Sequence, residues 1–353
     1  MDNNKNKICI LIIIVLAVAF VAMYFAFSKN EGWKTNEFMK KTEAYNQRIE
    51  AEKAEKANSE ARNEKLLAET PGTLHGGDGF TYGTCGNGIN YPTELENILK
   101  KNSYPYPVAN LGVQGEDSLT VLGRTGAIPF VVAEDFRIEG TVDDLIPIKI
   151  TSENGETVNP CIQEHNPGFN PCNVAGVKCI IYAEVLNTDI SKASAYYLSR
   201  QDNKTDKIDV AEGAKIITSG STDYKNYINV IQLGDGGGFD DDELVEQLKS
   251  FVKSFGEYEK YVIIGKIGGS DEENEYLDQA MEDEFGSHYI NVRKLLTQRK
   301  VEGVSYSDAD INNMKSGIIP DCLKKEGYLN GMGYKALGNL VYDKLVSLNL
   351  IKK

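Results

Sequence analysis

The sequence predicts an α/β protein in which a transmembrane helix and a helical stalk precede a three-layer α/β/α domain. Residues 8–27 form an uninterrupted apolar run, and short apolar segments alternate with charged amphipathic ones from residue 72 onward. Such alternation indicates a parallel sheet covered by helices on both faces. The alternation is lost between about 128 and 222, where β-type segments dominate. That stretch predicts a β-rich insertion within the domain.

The first element is the apolar run 8–27, ICILIIIVLAVAFVAMYFAF. At about 1.5 Å per helical residue it reaches about 30 Å, the thickness of a bilayer's hydrocarbon core. Lys5 and Lys7 precede it, so residues 1–7 are expected in the cytoplasm and the main domain outside. A cleaved signal peptide is the alternative, but the apolar region of such peptides usually has about 7–15 residues. We therefore expect a single-pass protein of the cell membrane.

The second element, residues 28–70, is polar and strongly charged, with many helix-forming residues and no glycine after Gly32. Apolar heptads are not sustained, which favours a solvated helical stalk over a dimeric coiled coil. The main domain is expected to occupy residues 71–353.

Within the main domain, the predicted strands of the parallel sheet are short apolar segments: VANLGV (108–113), YINVIQLG (227–234), KYVIIGKIG (260–268) and HYINV (288–292). The predicted helices are amphipathic segments at 91–101, 240–255, 270–285 and 333–348.

Composition excludes some partners and cofactors. The net charge of −14 argues against nucleic acid, because phosphate binding needs clustered Lys and Arg. Cys161, Cys172 and Cys179 cluster in the β-rich stretch, so one local disulfide is expected in an oxidising compartment. No CxxC pair or calcium-loop spacing is present, so no metal or other cofactor is predicted.

Four segments resemble, in order, the sequence blocks of SGNH/GDSL hydrolases: GGDGFTYG (76–83), NLGVQGEDSLTVLGRTG (110–126), VIQLGDGGGFDD (230–241) and EGYLNGMGYKALGNLVY (326–342). The resemblance implies a flavodoxin-like α/β/α fold. It also implies an ester-hydrolase site in which a serine, a histidine and an aspartate act beside an oxyanion hole.

The sequence departs from that family at the positions that carry the chemistry. Gly79 stands where the family has its nucleophilic serine, and Gly236 where it has an asparagine. Tyr328 stands at the histidine position. The family's aspartate falls on Lys325 when counted strictly, or on Glu326 with one deletion. Without a hydroxyl at residue 79, no acyl-enzyme can form there.

What remains of the family's site is Asp78 and the backbone of Gly115, a family donor to the oxyanion. We therefore expect a catalytically inactive pseudo-hydrolase. Loss of the two side chains at 79 and 236 predicts a widened crevice, with Asp78, Tyr82 and Tyr328 as cleft-lining candidates. By analogy with the family's substrates, the expected ligand is a saccharide or an acylated cell-surface polymer.

Two alternatives stay open at this point. One is an active carbohydrate or lipid esterase with a displaced nucleophile, for which Ser118 in EDSLTVLG is the candidate. Capping of a helix by Asp117 or Ser118 is the competing interpretation of that residue. The other alternative is a structural surface protein in which the cleft has no role. The three histidines, His75, His165 and His288, are expected to be structural or exposed.

Overall fold

The computed structural model describes residues 45–54 apart from 46 and 52, and residues 70–353 apart from 162–167, 186–192, 203, 225, 238 and 255–259. The predicted anchor and most of the predicted stalk lie outside these residues. No helix in the described part of the chain is long and apolar enough to cross a membrane. The chain divides into two compact units, Met1–Leu66 and Leu67–Lys353, and the second contains the folded domain.

The strands of this unit, in chain order, are β1 (Thr73–Gly76), β2 (Val108–Asn110), β3 (Phe130–Val132), β4 (Phe136–Ile138), β5 (Ile146–Ile148), β6 (Ile150–Ser152), β7 (Cys172–Val174), β8 (Val177–Val185), β9 (Ala193–Arg200), β10 (Ile208–Val210), β11 (Lys215–Ile217), β12 (Ile228–Gln232), β13 (Tyr261–Ile264), β14 (Tyr289–Ile290), β15 (Lys324–Lys325) and β16 (Tyr328–Leu329). The helices are α1 (Gly79–Tyr82), α2 (Tyr91–Lys101), α3 (Ser118–Thr125), α4 (Ser219–Asp223), α5 (Asp241–Ser254), α6 (Glu275–Phe285), α7 (Val292–Gln298), α8 (Asp308–Lys315) and α9 (Gly331–Ser347).

The first sheet contains five parallel strands in the order β14–β13–β12–β1–β2. Strand β1 lies inside the sheet, where Thr73 pairs with Ile228 of β12 and with Val108 of β2. The chain leaves β1 toward one side to form β2 and returns to the other side as β12. In open parallel sheets, the carboxyl edge beside such a change of direction forms a crevice that binds ligands.

Both faces of the parallel sheet are apolar and covered. On one face, the sheet packs against α2, α7 and α9, with Leu95 of α2 and Leu337 of α9 fully buried. On the other face, it packs against α3, α5 and α6, with Leu122, Leu248 and Leu277 buried. Burial on both faces explains why β13 (YVII) is apolar throughout, and every residue of β12 (INVIQ) is buried as well.

The second sheet contains seven antiparallel strands in the order β5–β9–β8–β7–β11–β3–β6. Its two edge strands, β5 and β6, are consecutive in the chain and separated only by Lys149. The sheet therefore curls until its edges nearly meet, as in a barrel. Side chains alternate along β8, where Cys179 and Ile181 are buried while Lys178 and Tyr182 are exposed.

The predicted three-layer α/β/α architecture is wrong for this chain. The structure is a mixed α/β fold whose nearly closed antiparallel sheet has more strands than the parallel one. Phe130 and Ile181 of the antiparallel sheet belong to the same hydrophobic cluster as Leu119 of α3 and Leu248 of α5. The physical reason is that short alternating strands have one apolar face, which must be buried against a partner. The β-rich stretch is thus an integral part of the core.

A buried ion pair connects the two sheets. Nε of Arg124 donates to Oε2 of Glu116 over 3.1 Å, and neither side chain is more than 1% exposed. Glu116 also accepts from the backbone N–H of Cys161 at 3.0 Å, while Arg124 donates to the Cys161 carbonyl at 3.2 Å. The Thr218 hydroxyl donates to the Arg124 carbonyl at 2.9 Å, and the guanidinium lies 5.6 Å from the Phe169 ring centroid. Segments on either side of the antiparallel strands are thereby tied to α3.

We predict that Arg124→Met destabilises the protein by about 3–5 kcal/mol, because it leaves the Glu116 carboxylate buried without its partner. Arg137→Met is the matched control, since Arg137 pairs with Asp209 at an exposed position and should cost less than about 1 kcal/mol. The double variant Glu116→Gln/Arg124→Met should cost less than Arg124→Met alone. Urea unfolding measures all three, and equal losses for Arg124→Met and Arg137→Met would contradict the prediction.

Candidate functional site

The turn after β1 begins the carboxyl edge of the parallel sheet. The Asp78 side chain caps α1 by accepting from the Phe80 N–H at 2.9 Å, and only 6% of Asp78 is exposed. A Cβ added at Gly77 would lie 3.0 Å from the Gln232 carbonyl oxygen of β12 and still closer to Thr81. The glycine is required because the turn passes close to both residues.

The position predicted for a nucleophile faces a tyrosine ring. A Cβ added at Gly79 would lie 2.7 Å from Cε1 of Tyr328 and 3.1 Å from its hydroxyl oxygen. The Tyr328 ring also packs on the Phe80 ring, with their centroids 4.9 Å apart. Glycine at 79 and tyrosine at 328 are therefore sterically complementary. The space that a serine side chain would occupy is filled by Tyr328.

The second glycine of the predicted site is equally confined. A Cβ added at Gly236 would lie 2.5 Å from the Glu116 carbonyl oxygen and 3.3 Å from Cα of Asp117. Gly115, the predicted oxyanion donor, precedes Glu116 in a turn with a positive φ of 87°. The prediction of a widened crevice is wrong at both positions, because neighbouring atoms fill the space.

Two carboxyl groups interact at this edge. Burial and the negative charge of Asp235 raise the pKa of Asp78 to about 7. Burial also raises the pKa of Asp235, and hydrogen bonds from the N–H groups of Ile267 and Gly268, 2.8 and 2.7 Å long, oppose that rise. Gln232 donates to the same Asp235 carboxylate at 2.8 Å. Asp78 therefore titrates near neutral pH, whereas the hydrogen bonds to Asp235 favour the charged form of that carboxyl group.

The hairpin formed by β15 and β16 carries the remaining predicted positions. Burial, followed by the charges of Asp78 and Cys85, raises the pKa of the Tyr328 hydroxyl. Lys325 and Glu326 lie at the tip of the hairpin, with side chains 49% and 72% exposed. The Cys85 thiol donates to the Glu326 carboxylate across 3.7 Å. Neither position predicted for the family's aspartate reaches the interior of the site.

A pocket of about 190 Å³ opens between this hairpin and the loop that follows β13. It is lined by Phe80, Ile267, Gly268, Gly269, Ile319, Lys324, Gly327, Tyr328 and Leu329. Of the cleft-lining candidates, Tyr328 lines the pocket, whereas Asp78 is buried and Tyr82 is 53% exposed outside it.

Several residues of the site were missed in the sequence. Lys324 lies one position before the residue matched to the family's aspartate, and nothing in its context distinguishes it from Lys325. Gly268 and Gly269 follow β13 directly, and a glycine pair at the carboxyl end of a parallel strand was the available signal. Asp235 follows β12 in the same way, and its coupling to Asp78 appears only in the tertiary structure.

The described histidines are structural. Burial lowers the pKa of His75 to about 3, and its Nε2 lies 3.0 Å from the Thr73 hydroxyl. His288 is buried, with Nδ1 2.8 Å from the Tyr261 carbonyl and its ring stacked on Tyr261. The expectation for these two is confirmed, and His165 lies outside the described residues.

Ser118, the candidate displaced nucleophile, is the first residue of α3 and 2% exposed. Asp117, not Ser118, caps this helix, accepting from the Thr120 N–H at 2.8 Å. The Ser118 hydroxyl has no hydrogen-bond partner among the described residues. It lines a cavity of about 20 Å³ together with Lys266. Such a cavity holds about one water molecule.

Comparison with known proteins gives no relative: no family model, curated protein or solved structure matches this chain. Within the described residues, no group of three or more His, Cys, Asp or Glu side chains is placed to hold a metal ion.

We predict that Gly79→Ser costs about 1–3 kcal/mol of stability, because the new side chain collides with the Tyr328 ring. Tyr328→Leu removes the ring, so the double variant should lose less than the sum of the single losses. A double-mutant cycle by urea unfolding measures this coupling. Strictly additive losses would show that the two residues are not in steric contact.

The raised pKa of Asp78 predicts that the stability of the protein depends on pH. An acid whose folded pKa of about 7 exceeds its unfolded value of 3.8 favours folding when protonated, so stability should fall as pH rises from about 4 to 7. Asp78→Asn keeps the cap and removes this titration. As the pH rises from 5 to 8, the free energy of unfolding of the variant should increase by on the order of 2 kcal/mol relative to that of the wild type. Exposed Asp283→Asn is the control and should show no such gain; parallel behaviour of both variants would refute the assignment.

Proposed function

We propose that this domain is a binding module that uses the pocket beside Tyr328 to hold a saccharide or an acylated surface polymer without hydrolysing it. The observation that carries the proposal is the close approach of the Tyr328 ring to Gly79. A hydrolase of the family that the sequence resembles needs a nucleophilic side chain at that place. Here the place is occupied by a phenol whose pKa is raised, which makes it a poor nucleophile at neutral pH.

The two described histidines support the same proposal, because neither is placed to act as a general base. A catalytic histidine must reach the nucleophile and exchange a proton near the working pH. His75 is neutral and enclosed by Thr73 and the Tyr91 ring, and His288 packs on Tyr261. The chain has no histidine after His288, so the C-terminal block that resembles the family's last block cannot supply one.

The pocket itself favours a ring-shaped ligand. Its lining is largely apolar and includes the aromatic residues Phe80 and Tyr328 together with Ile267 and Ile319. Sugars present both C–H faces that pack on aromatic rings and hydroxyls that pair with polar groups. A volume of about 190 Å³ is below the roughly 300–1,000 Å³ typical of pockets for drug-sized ligands. We infer that it takes one ring of a longer chain.

A surface polymer also suits the proposed location. The apolar run 8–27 would hold the domain at the outer face of the membrane, with residues 28–70 as a spacer. The ligand would then be a component of the cell envelope.

An esterase with Ser118 as nucleophile is the second candidate, favoured by the unpartnered Ser118 hydroxyl and the lysine that lines the same cavity. Serine–lysine pairs catalyse acyl transfer in other folds. The volume of about 20 Å³ argues against it, because an acyl ester could not enter without movement of α3 or of the loop after β12.

The decisive experiment measures binding and hydrolysis on the same full-length protein in a non-glycosidic detergent. Cellotriose should raise the stability by about 2.7 kcal/mol at a concentration about 100 times its Kd. Tyr328→Ala should abolish this stabilisation, whereas exposed Tyr82→Ala, the matched control, should preserve it.

Hydrolysis of p-nitrophenyl acetate should not exceed that of the heat-denatured protein. Saturable turnover that Ser118→Ala removes would replace the proposal with the esterase. Absence of both turnover and stabilisation would refute binding of this ligand class.

A further inference from the structure

The charge lining the pocket points to a feature of its ligand. Lys324 and Lys325 are consecutive in β15, and side chains of consecutive strand residues point to opposite faces. Lys324 lines the pocket with 27% of its side chain exposed, whereas Lys325 is 49% exposed and does not line it. Among the described residues that line the pocket, Lys324 is the one with a charged side chain.

The ion pair that Lys324 forms within the chain is weak. Its Nζ lies 3.3 Å from Oδ1 of Asp321, whose side chain is 74% exposed. Exposed ion pairs of this kind contribute about 0–1 kcal/mol because water screens both charges. A carboxylate bound inside the pocket would meet the same ammonium group with less solvent around it, and the interaction would be stronger. Lys324 can therefore exchange Asp321 for an anionic ligand at small cost.

Because the chain as a whole is acidic, a lysine that lines the pocket indicates the charge of the ligand. With a formal net charge of −14, the chain as a whole repels anions. Besides Asp321, the carboxylates of Asp235 and Glu273 lie beside Gly268 and Gly269 of the pocket, and both accept hydrogen bonds from backbone N–H groups. The pocket thus presents a positive group at an aromatic wall.

We propose that the ligand is an acidic saccharide, whose carboxylate pairs with Lys324 while its ring packs on Tyr328. This inference rests on the proposed function of the same pocket and adds the charge of the ligand to it. It identifies Lys324 as the residue that determines specificity.

The test compares two sugars that differ only at C6: cellotriose, and the same trisaccharide with each C6 oxidised to a carboxylate. Titration calorimetry on the full-length protein should show that the acidic trisaccharide binds at least about tenfold tighter, as expected for a charge-assisted hydrogen bond. The difference should shrink as salt is raised. Equal affinities would refute the acidic-ligand inference and leave the proposed function intact, whereas no binding of either sugar would refute both.

Three variants assign the effect to Lys324. Lys324→Gln should erase the preference for the acidic trisaccharide over cellotriose. Lys325→Gln removes the same charge one residue away and should keep the preference. Asp321→Asn frees Lys324 and should tighten binding of the acidic trisaccharide alone. A preference that survives Lys324→Gln, or that Lys325→Gln weakens equally, would overturn the assignment to Lys324.

Discussion

The buried pair of Glu116 and Arg124 is the interaction on which the rest of the structure depends. Two charges removed from water must satisfy each other and their remaining hydrogen-bonding groups, which fixes their neighbours in place. Here those neighbours include the backbone of Cys161 and the hydroxyl of Thr218, on either side of the antiparallel strands. The same Glu116 presents its carbonyl oxygen to Gly236. One ion pair therefore joins the two sheets and sets one wall of the carboxyl edge.

The remaining parts of the site are positioned by contacts that begin at this wall. The loop after β12 brings Asp235 to the N–H groups of Ile267 and Gly268, and this places the loop after β13 beside the hairpin. Tyr328 then fills the space next to Gly79. The arrangement places an aromatic ring, and no side-chain hydroxyl of residue 79, at this position.

Local structure was accessible from the sequence because it depends on residues close together in the chain. The amphipathic stretch 91–101 was predicted with its bounds and is confirmed as α2, since its apolar positions recur at helical spacing. The segments 240–255 and 270–285 are confirmed as α5 and α6, with shorter bounds. The acids at 241–243 lie in the first turn of α5, where the helix dipole favours them.

By itself, the sequence determined the alternation of apolar strands and helices, the β-rich stretch, and the presence of glycine at 79 and tyrosine at 328. Only the tertiary structure decided that the β-rich stretch closes on itself and joins the core, because strand pairing and the burial of an ion pair depend on residues far apart in the chain. It also decided that Tyr328 fills the space beside Gly79. The sequence alone had predicted that this space is empty. Lys324 and Lys325 are alike in the sequence, and the direction of each side chain in β15 decides which one lines the pocket.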